Sequence, residues 1–501
     1  MPHGLAFAVE IATTVLAVAG MGYFVAALIA ARVFLWRRTR WAGYAPDVSV
    51  LKSLKGLDPG MMDGFRSHCR QSYAGEYELL FGVSSLDDPA AAAVKQLKIE
   101  FPERAIRLVA CPERLGTNGK VSTLVQLEAH AAHDFLLIND SDITVGPRYL
   151  ERVMACFGAE AAGAEARSSN GVDSARLNVL PKEDRISTNP EESTAQGLKP
   201  DPPVLELAAR LESCPDTSCS AEAVSPQPLK PFPDTKPIST AQSEGQSDSA
   251  GSDFPAEART LQLEPAVRAA REVGLVTALY RGRAHGTFGS RLEALGIATD
   301  FQAGVLLSKM VEGGLRYGLG STLAVRREAL AQAGGLRALV NHLADDYELG
   351  ARVAQAGYRV ELSAEVVETS VPAYGWRGFV DHQLRWMRTV RDARPAGYAG
   401  LVVTHGLGWA LLNVVASGLS PVSLWLLALS FFLRMALAMT VGAAVLGDRQ
   451  VLAYLWMLPV RDVVAMGLWV AGFAGNTIVW RGERFVLKEG KLGRASKLSG
   501  Q

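Results

Sequence analysis

Long uncharged apolar runs bracket the chain, and short apolar runs alternate with amphipathic ones between them. Ile11–Ala31 is 21 residues without a charge, enough for one helical crossing at ~20 residues per span. No Lys or Arg precedes this run, and it is long for a signal peptide, so it reads as a retained anchor. Arg37, Arg38 and Arg40 follow it, and the positive-inside rule places that end in the cytosol. Near the other terminus, Leu401–Leu433 contains no Asp, Glu, Lys or Arg and is interrupted by Pro421; Met435–Gly447 and Val463–Trp480 are again uncharged. The tail beyond carries Arg481, Arg484, Lys488, Lys491, Arg494 and Lys497 against Glu483 and Glu489, so it too is expected in the cytosol. An even number of crossings must then lie between 401 and 480. Two are expected, with one segment lying in the membrane interface.

Strand-like runs fall at Val48–Leu51, Glu78–Val83, Ala105–Ala110 and Phe135–Ile138, with helix-like patterns such as Ala90–Leu97 and Lys120–Ala132 between them. This alternation predicts an α/β fold with a mostly parallel sheet. Ligands of such sheets bind beyond the carboxyl ends of the strands. From about 158 to 269 the pattern collapses into Ser, Pro, Glu, Ala and Gly with few aromatics. Such a segment buries too little apolar surface to offset ordering entropy, so a disordered, low-complexity insertion is predicted. Order returns with the strand Val273–Tyr280 and continues to about Arg394. The expected organisation is an anchor at 1–36, a cytosolic domain over 44–157 and 270–394 split by 158–269, membrane helices at 401–480, and a basic cytosolic tail at 481–501.

The formal net charge is 0 and the pI near 7.1, which argues against a nucleic-acid partner. Cys69, Cys111, Cys156, Cys214 and Cys219 form no CxxC pair and have no nearby His, so a zinc site is not expected. An odd, sparse set suits a reducing compartment.

Polar residues recur where ligands would bind. Asp87-Asp88-Pro89 follows the second strand, Asp140-Ser141-Asp142 follows the fourth, and Asp345-Asp346 opens a helical run. The cluster His382-Gln383-Leu384-Arg385-Trp386 lies in a basic amphipathic segment. Each has a plainer reading taken singly. Asp-x-Asp occurs in ordinary solvated loops, an Asp pair before a helix can be a cap, and Arg-Trp can anchor a membrane interface. Taken in this order they form a chemistry. Carboxylates one residue apart can hold Mg²⁺ or Mn²⁺ together with phosphate oxygens. A separate acid can act as general base, an arginine can stabilise a leaving diphosphate, and a tryptophan face can receive an acceptor.

These residues resemble the ceramide glucosyltransferase family, family 21, within the inverting GT-A glycosyltransferases. The likeness is carried by Val48-Ser-Val-Leu-Lys-Ser-Leu-Lys-Gly56, Asp88-Pro-Ala90, Gly116-Thr-Asn-Gly-Lys120, Asn139-Asp-Ser-Asp-Ile143, Gly274-Leu-Val-Thr-Ala-Leu-Tyr-Arg281, Gly318-Leu-Gly-Ser-Thr322 and Leu343-Ala-Asp-Asp-Tyr347. It covers about 40–157 and 270–400. The resemblance implies a GT-A domain with transmembrane helices at both ends, a UDP-sugar donor, a lipid acceptor, and a divalent ion held by Asp140 and Asp142. Asp88 would contact the uridine, with Lys55 and Lys120 touching the nucleotide or merely lying at the surface. Asp140 would also meet the diphosphate. Asp346 would be the base, with Asp345 beside it, and His382, Arg385 and Trp386 would line diphosphate and acceptor. His382 departs from the Gln or Arg that usually begins the last motif, and the insertion after Phe157 is atypical. His382–Arg391 is most similar to bacterial members associated with hopanoids, which implies N-acetylglucosamine transfer to a hopanoid polyol; ceramide members transfer glucose. The location implied is the cytoplasmic membrane, with the catalytic domain in the cytosol. Two rival readings are a processive polysaccharide synthase and a non-catalytic membrane scaffold. Against the first stands the small number of apolar segments, and against the second the intact acidic set.

Overall fold

The computed structural model of the chain describes residues 2–36, 43–158, 272–480 and 483–494. The Arg37–Arg40 cluster and the 158–269 insertion, apart from Gly158, lie outside the described residues.

In chain order the elements are α1 (Pro2–Trp36), β1 (Val48–Ser53), α2 (Met61–Cys69), β2 (Tyr77–Val83), α3 (Pro89–Glu100), β3 (Ala105–Ala110), α4 (Gly119–Glu128), β4 (Phe135–Ile138) and α5 (Tyr149–Met154). After the insertion come β5 (Val273–Ala284), α6 (Phe288–Gly296), a π-turned segment Ile297–Phe301, α7 (Gln302–Val311), β6 (Leu323–Arg326), α8 (Arg327–Gln332), α9 (Asp345–Gln355), β7 (Arg359–Val371) and α10 (Trp376–Ala393). The C-terminal part holds α11 (Pro395–Gly400), α12 (Gly406–Ala416), α13 (Pro421–Ala438), α14 (Arg449–Tyr454), α15 (Leu458–Gly472), β8 (Thr477–Trp480), β9 (Glu483–Lys488) and β10 (Lys491–Arg494).

Seven strands form one sheet in the order β3-β2-β1-β4-β6-β5-β7. Only β6 runs against its neighbours β4 and β5. The strands expected from the sequence are present, and β1, β2 and β5 run longer than their apolar runs. Helix starts follow local chemistry. Asp88 caps α3 and Pro89 takes its first position, while Asn118 caps α4 through the Val121 amide at 3.2 Å; both leave fewer orphan amides. One face of the sheet packs against α2 and α5 through Phe65, Tyr149 and Val153. The other face is continuous with the apolar interior between α1 and α13, where Phe24, Ala27, Leu437 and Val441 meet Leu279 and Leu306. The α/β domain therefore sits directly on the apolar helices.

Among the described residues four helical segments are long and apolar enough to cross a membrane: Gly4–Trp36, Pro395–Ala416, Pro421–Val445 and Arg449–Gly472. At Gly20 and Gly406 the backbones of α1 and the α12 start approach so closely that a Cβ on Gly406 would lie 2.9 Å from the Gly20 backbone, which is how small residues let apolar helices associate. Asn413 extends the joint, donating to Glu10 O, Thr13 Oγ1 and Thr14 Oγ1. Arg434 on α13 is buried and reaches Asp462 at 2.8 Å, Thr299 at 3.1 Å and Asp300; Arg461 reaches Asp300 at 3.0 Å. These charges offset one another and tie α13 and α15 to the π-turned segment.

Two sequence expectations change. The uncharged Val463–Trp480 stretch is not one helix: α15 stops at Gly472, and the β-branched Thr477-Ile478-Val479 run forms β8 after the turn at Gly475, whose φ is +72°. The tail is not a plain basic extension, because residues 483–494 form a hairpin with β8 in a three-stranded sheet, order β10-β9-β8. That hairpin pairs with the α/β domain: Leu492 N donates to Asn341 O at 2.8 Å and Leu343 N to Gly490 O at 3.3 Å. Helix α10 clamps its root, with Arg388 and Arg391 donating to the carbonyls of Gly472, Phe473, Ala474, Gly475 and Thr477.

Candidate active site

Because β1, β2 and β4 run parallel, the loops leaving their carboxyl ends gather at one edge of the sheet. Asp88 lies in the loop after β2. Its Oδ1 accepts from Ala90 N at 2.9 Å and from Gly56 N at 2.9 Å. It is a helix cap that also pins the loop after β1, and Lys55 in that loop is exposed. Ser141, between the two aspartates after β4, donates to Asp58 on the same loop.

Lys52 is the residue of β1 that sequence reading missed. It is 1% exposed, and its Nζ donates to Asp140 O at 3.0 Å. Burial drags the ammonium down to about 7, against the upward pull of Asp142 and Asp140. The signal was a lone lysine inside the apolar run Val48–Leu54.

Asp140 and Asp142 take up different surroundings. Lys120 Nζ, from the first turn of α4, lies 2.8 Å from Asp140 Oδ1 and 3.2 Å from Asp345 Oδ2. Burial lowers the Lys120 pKa, but Asp140 and Asp345 outweigh it and the net shift is upward. Asp142 is held on β7, accepting from Thr369 Oγ1 at 2.5 Å and Ser370 N at 3.0 Å. Burial and the neighbouring Asp140 charge still raise its carboxyl, against those two hydrogen bonds.

Asp345 and Asp346 open α9, where the helix dipole favours acids. Asp345 is buried and accepts from Asn118 Nδ2 at 3.3 Å. Asn118 also donates to His342 O at 2.8 Å, so the α4 cap and the loop before α9 are one structure. Asp346 is pushed up to about 6 by burial and by Asp345, with Lys120 opposing. Asp346 and Asp140 flank Gly320: a Cβ there would lie 2.9 Å from Asp346 Oδ2 and 3.6 Å from Asp140 Oδ2.

Among the described residues no group of three or more His, Cys, Asp or Glu could hold a metal unaided. A pair of carboxylates nevertheless fits Mg²⁺ or Mn²⁺, since such ions commonly take one or two protein carboxylates and complete their shell with phosphate and water.

An aromatic wall joins the acids to α10. Tyr280 on β5 packs on Phe301 at 5.6 Å between centroids, and Phe301 on Trp386 at 6.3 Å. Trp386 meets His382 at 5.4 Å, and His382 stacks on Tyr374 at 5.2 Å. The Tyr280 hydroxyl is raised by burial and then by Asp346, Asp140, Glu293 and Asp142, so it lies within the field of all four carboxylates. Arg385 is half-buried on α10, and its charge is felt at Tyr374. The structure thus gathers Asp140, Asp142, Lys120, Asp345 and Asp346 into one acidic centre, with His382, Arg385 and Trp386 on the helix carrying the aromatic wall. Asp88 and Lys55 stand on the neighbouring loops. No role was foreseen for Lys52, Tyr280, Glu293, Gly320 or Thr369, although Lys52, Tyr280 and Gly320 fall within the stretches that carry the family resemblance. Tyr280, Gly320 and Thr369 carry no local charge pattern that sequence could flag.

The family described as Glycosyl transferase family 21 matches residues 12–178 and 257–492. Ceramide glucosyltransferase 3 of Caenorhabditis elegans is 32% identical over 98 residues, 20% of this chain and 21% of that protein. Ceramide glucosyltransferase of Komagataella phaffii is 28% identical over 109 residues, 21% of each. The matched stretch thus spans about a fifth of the length of these relatives. Among solved structures, a mannosyltransferase from Pyrobaculum calidifontis, determined with GDP-Man and Mn²⁺, is 15% identical, covering 93% of this chain and 97% of that one, with a TM-score of 0.41.

Proposed function

We propose, since the chain belongs to glycosyl transferase family 21, that it is an inverting enzyme moving a hexose or N-acetylhexosamine from a UDP-sugar to a hydroxyl of a membrane lipid, a hopanoid polyol or ceramide, to give a β-glycolipid. The observation that carries this reading is the meeting of Asp140 and Asp345 on Lys120 and of Asp140 and Asp346 at Gly320, beside an aromatic wall shared with a helix that rests on the membrane segments. A raised carboxyl near 6 suits a base working near neutrality.

In this reading Asp346 takes the proton of the acceptor hydroxyl as its oxygen attacks the anomeric carbon from the face opposite the diphosphate. Asp345 and Lys120 orient and balance it. Asp140 and Asp142 would hold Mg²⁺ or Mn²⁺, which when bound neutralises charge on the departing diphosphate. Asp88 and Lys55 flank the uridine side, Arg385 the diphosphate, and Trp386 receives the acceptor.

We infer a cytosolic site on the inner membrane from the basic residues Arg37, Arg38 and Arg40 and the basic tail. Helix α15 runs beside α10 and α6, with Arg461 against Gly296 and Gly472 against Met387 and Tyr398. We read it as lying in the interface, while α1, Pro395–Ala416 and Pro421–Val445 cross. The C-terminal hairpin then shares a side with the acids, as its pairing with Asn341–Leu343 requires.

The test is mass spectrometry of lipids made by the purified protein in nanodiscs, given UDP-glucose or UDP-N-acetylglucosamine, Mg²⁺, and ceramide or bacteriohopanetetrol. One acceptor should gain one sugar. Transfer to neither acceptor from either donor would sink the reading.

A further inference from the structure

Glu293 lies on α6 and is 4% exposed. Among the described residues its one ion-pair partner is His382, whose Nδ1 stands 3.0 Å from Glu293 Oε2. A carboxylate taken out of water without Lys or Arg is costly, and here the hydrogen on Nδ1 compensates it. Whether the ring is neutral or charged, that contact places a hydrogen on Nδ1. The ring is also held on both sides, stacked on Tyr374 with an interplanar angle of 29° and tilted at 52° against Trp386. With Nδ1 engaged by Glu293, Nε2 is the ring's other polar atom, an acceptor in the neutral ring and a donor in the charged one, and a hydroxyl can pair with either. Among the described residues Nε2 makes no hydrogen bond. Trp386 and Phe301 connect this ring to Tyr280, which senses both Glu293 and the acids at Asp140 and Asp346. The ring therefore stands on the same aromatic wall as Tyr280, which borders the acids.

We propose that Glu293 is a positioning residue that fixes His382 so that Nε2 hydrogen-bonds a second hydroxyl of the acceptor headgroup, selecting lipids that carry a free hydroxyl beside the one glycosylated. The proposal rests on the lipid-glycosylating reading of the site. Once a lipid headgroup covers Nε2 without offering it a partner, the nitrogen loses its solvent contact and is left unpaired, so an acceptor lacking the second hydroxyl is penalised as well as less attracted.

The experiment compares ceramide with 3-deoxyceramide, and bacteriohopanetetrol with a monohydroxy hopanoid, using whichever pair the wild-type protein turns over in nanodiscs. Wild type should prefer the richer headgroup by about tenfold or more in kcat/KM, the worth of one hydrogen bond. Glu293→Met and His382→Phe should each lower that preference to about twofold, and Glu293→Met should leave the KM for the UDP-sugar unchanged. The double variant should be no worse than either single, because Glu293 acts only through His382. If Glu293→Met fails to fold, Glu293→Asp keeps the charge but withdraws it from Nδ1, and the same loss is expected. A full preference retained in the Glu293 variant overturns the proposal, as do multiplying losses in the double variant or a wild type blind to the second hydroxyl. Wild type inactive on every acceptor overturns instead the reading on which the proposal rests. Loss of turnover in Asp346→Asn alongside a normal Glu293→Met leaves that reading standing and removes this one.

Discussion

Gly320→Ala separates the catalytic geometry from the stability of the fold. The new methyl would stand 2.9 Å from Asp346 Oδ2, and ordinary contact begins about 0.5 Å further out. The obstructing atom is the tip of a side chain, so the carboxylate can swing aside at little cost to folding. Gly320 is not among the glycines with positive φ, so alanine brings no backbone strain, and a Gly→Ala change without strain is neutral to slightly stabilising. What the enzyme loses is alignment. Displacing a catalytic group by up to 1 Å can cost about 10²-fold, so a shift of half that size should lower kcat by about tenfold or more. The melting temperature should stay within a few degrees, and the KM for the UDP-sugar should change little, because Asp140 Oδ2 is further off at 3.6 Å. Steady-state turnover and thermal unfolding of the same preparation make the check. Turnover within threefold of wild type would refute the placement of Asp346 at the reacting centre.

The pH profile should show a rising limb near 6 in kcat/KM, because burial and Asp345 hold Asp346 protonated up to about that value and a base must be ionised; a divalent ion at Asp140 would move the limb down. The same raised pKa makes the Asp346 contribution to stability complete below about 4 and lost as pH rises through about 6, visible as a fall in melting temperature over that window that Asp346→Asn abolishes. Asp140→Ala and Asp142→Ala should each cost at least about a hundredfold in turnover while the fold survives, and chelation should silence the wild type until Mg²⁺ or Mn²⁺ is returned; near-normal turnover in both variants would contradict the pair's role. Gly490 sits at φ +75° in the hairpin turn bonded to Leu343, so Gly490→Val should strain it and lower kcat by about tenfold with UDP affinity unchanged, measured by titration calorimetry alongside turnover.

The α/β alternation was legible because strands buried on both faces read as apolar runs, and Asp88, Asn118 and Asp345 mark helix starts. With β6 the only reversed strand of seven and the family match in place, the GT-A class expected from the resemblance holds. The acids were legible as a set because they fall at strand and helix ends, where short polar motifs stand out. The aromatic wall was not, since Tyr280, Phe301 and Tyr374 look like core residues until β5, the π-turned segment and α10 converge. Glu293 reads as a surface position of an amphipathic helix, yet it is buried, with His382 of α10 brought against it. The hairpin escaped notice because its alternation, Arg484-Phe485-Val486-Leu487-Lys488, is short and lies within a basic tail.

The central claim is a single displacement with Asp346 as base. Its most direct measurement is the anomeric configuration and rate of product formed by wild type and Asp346→Asn from an α-linked UDP-sugar and the accepted lipid, read by nuclear magnetic resonance and single-turnover kinetics. The account predicts a β linkage, no sugar bound covalently to the protein, and a loss of about 10²-fold or more in Asp346→Asn with the UDP-sugar still bound. An α-linked product, or an Asp346→Asn protein that turns over at nearly the wild-type rate while Asp345→Asn is dead, would contradict it.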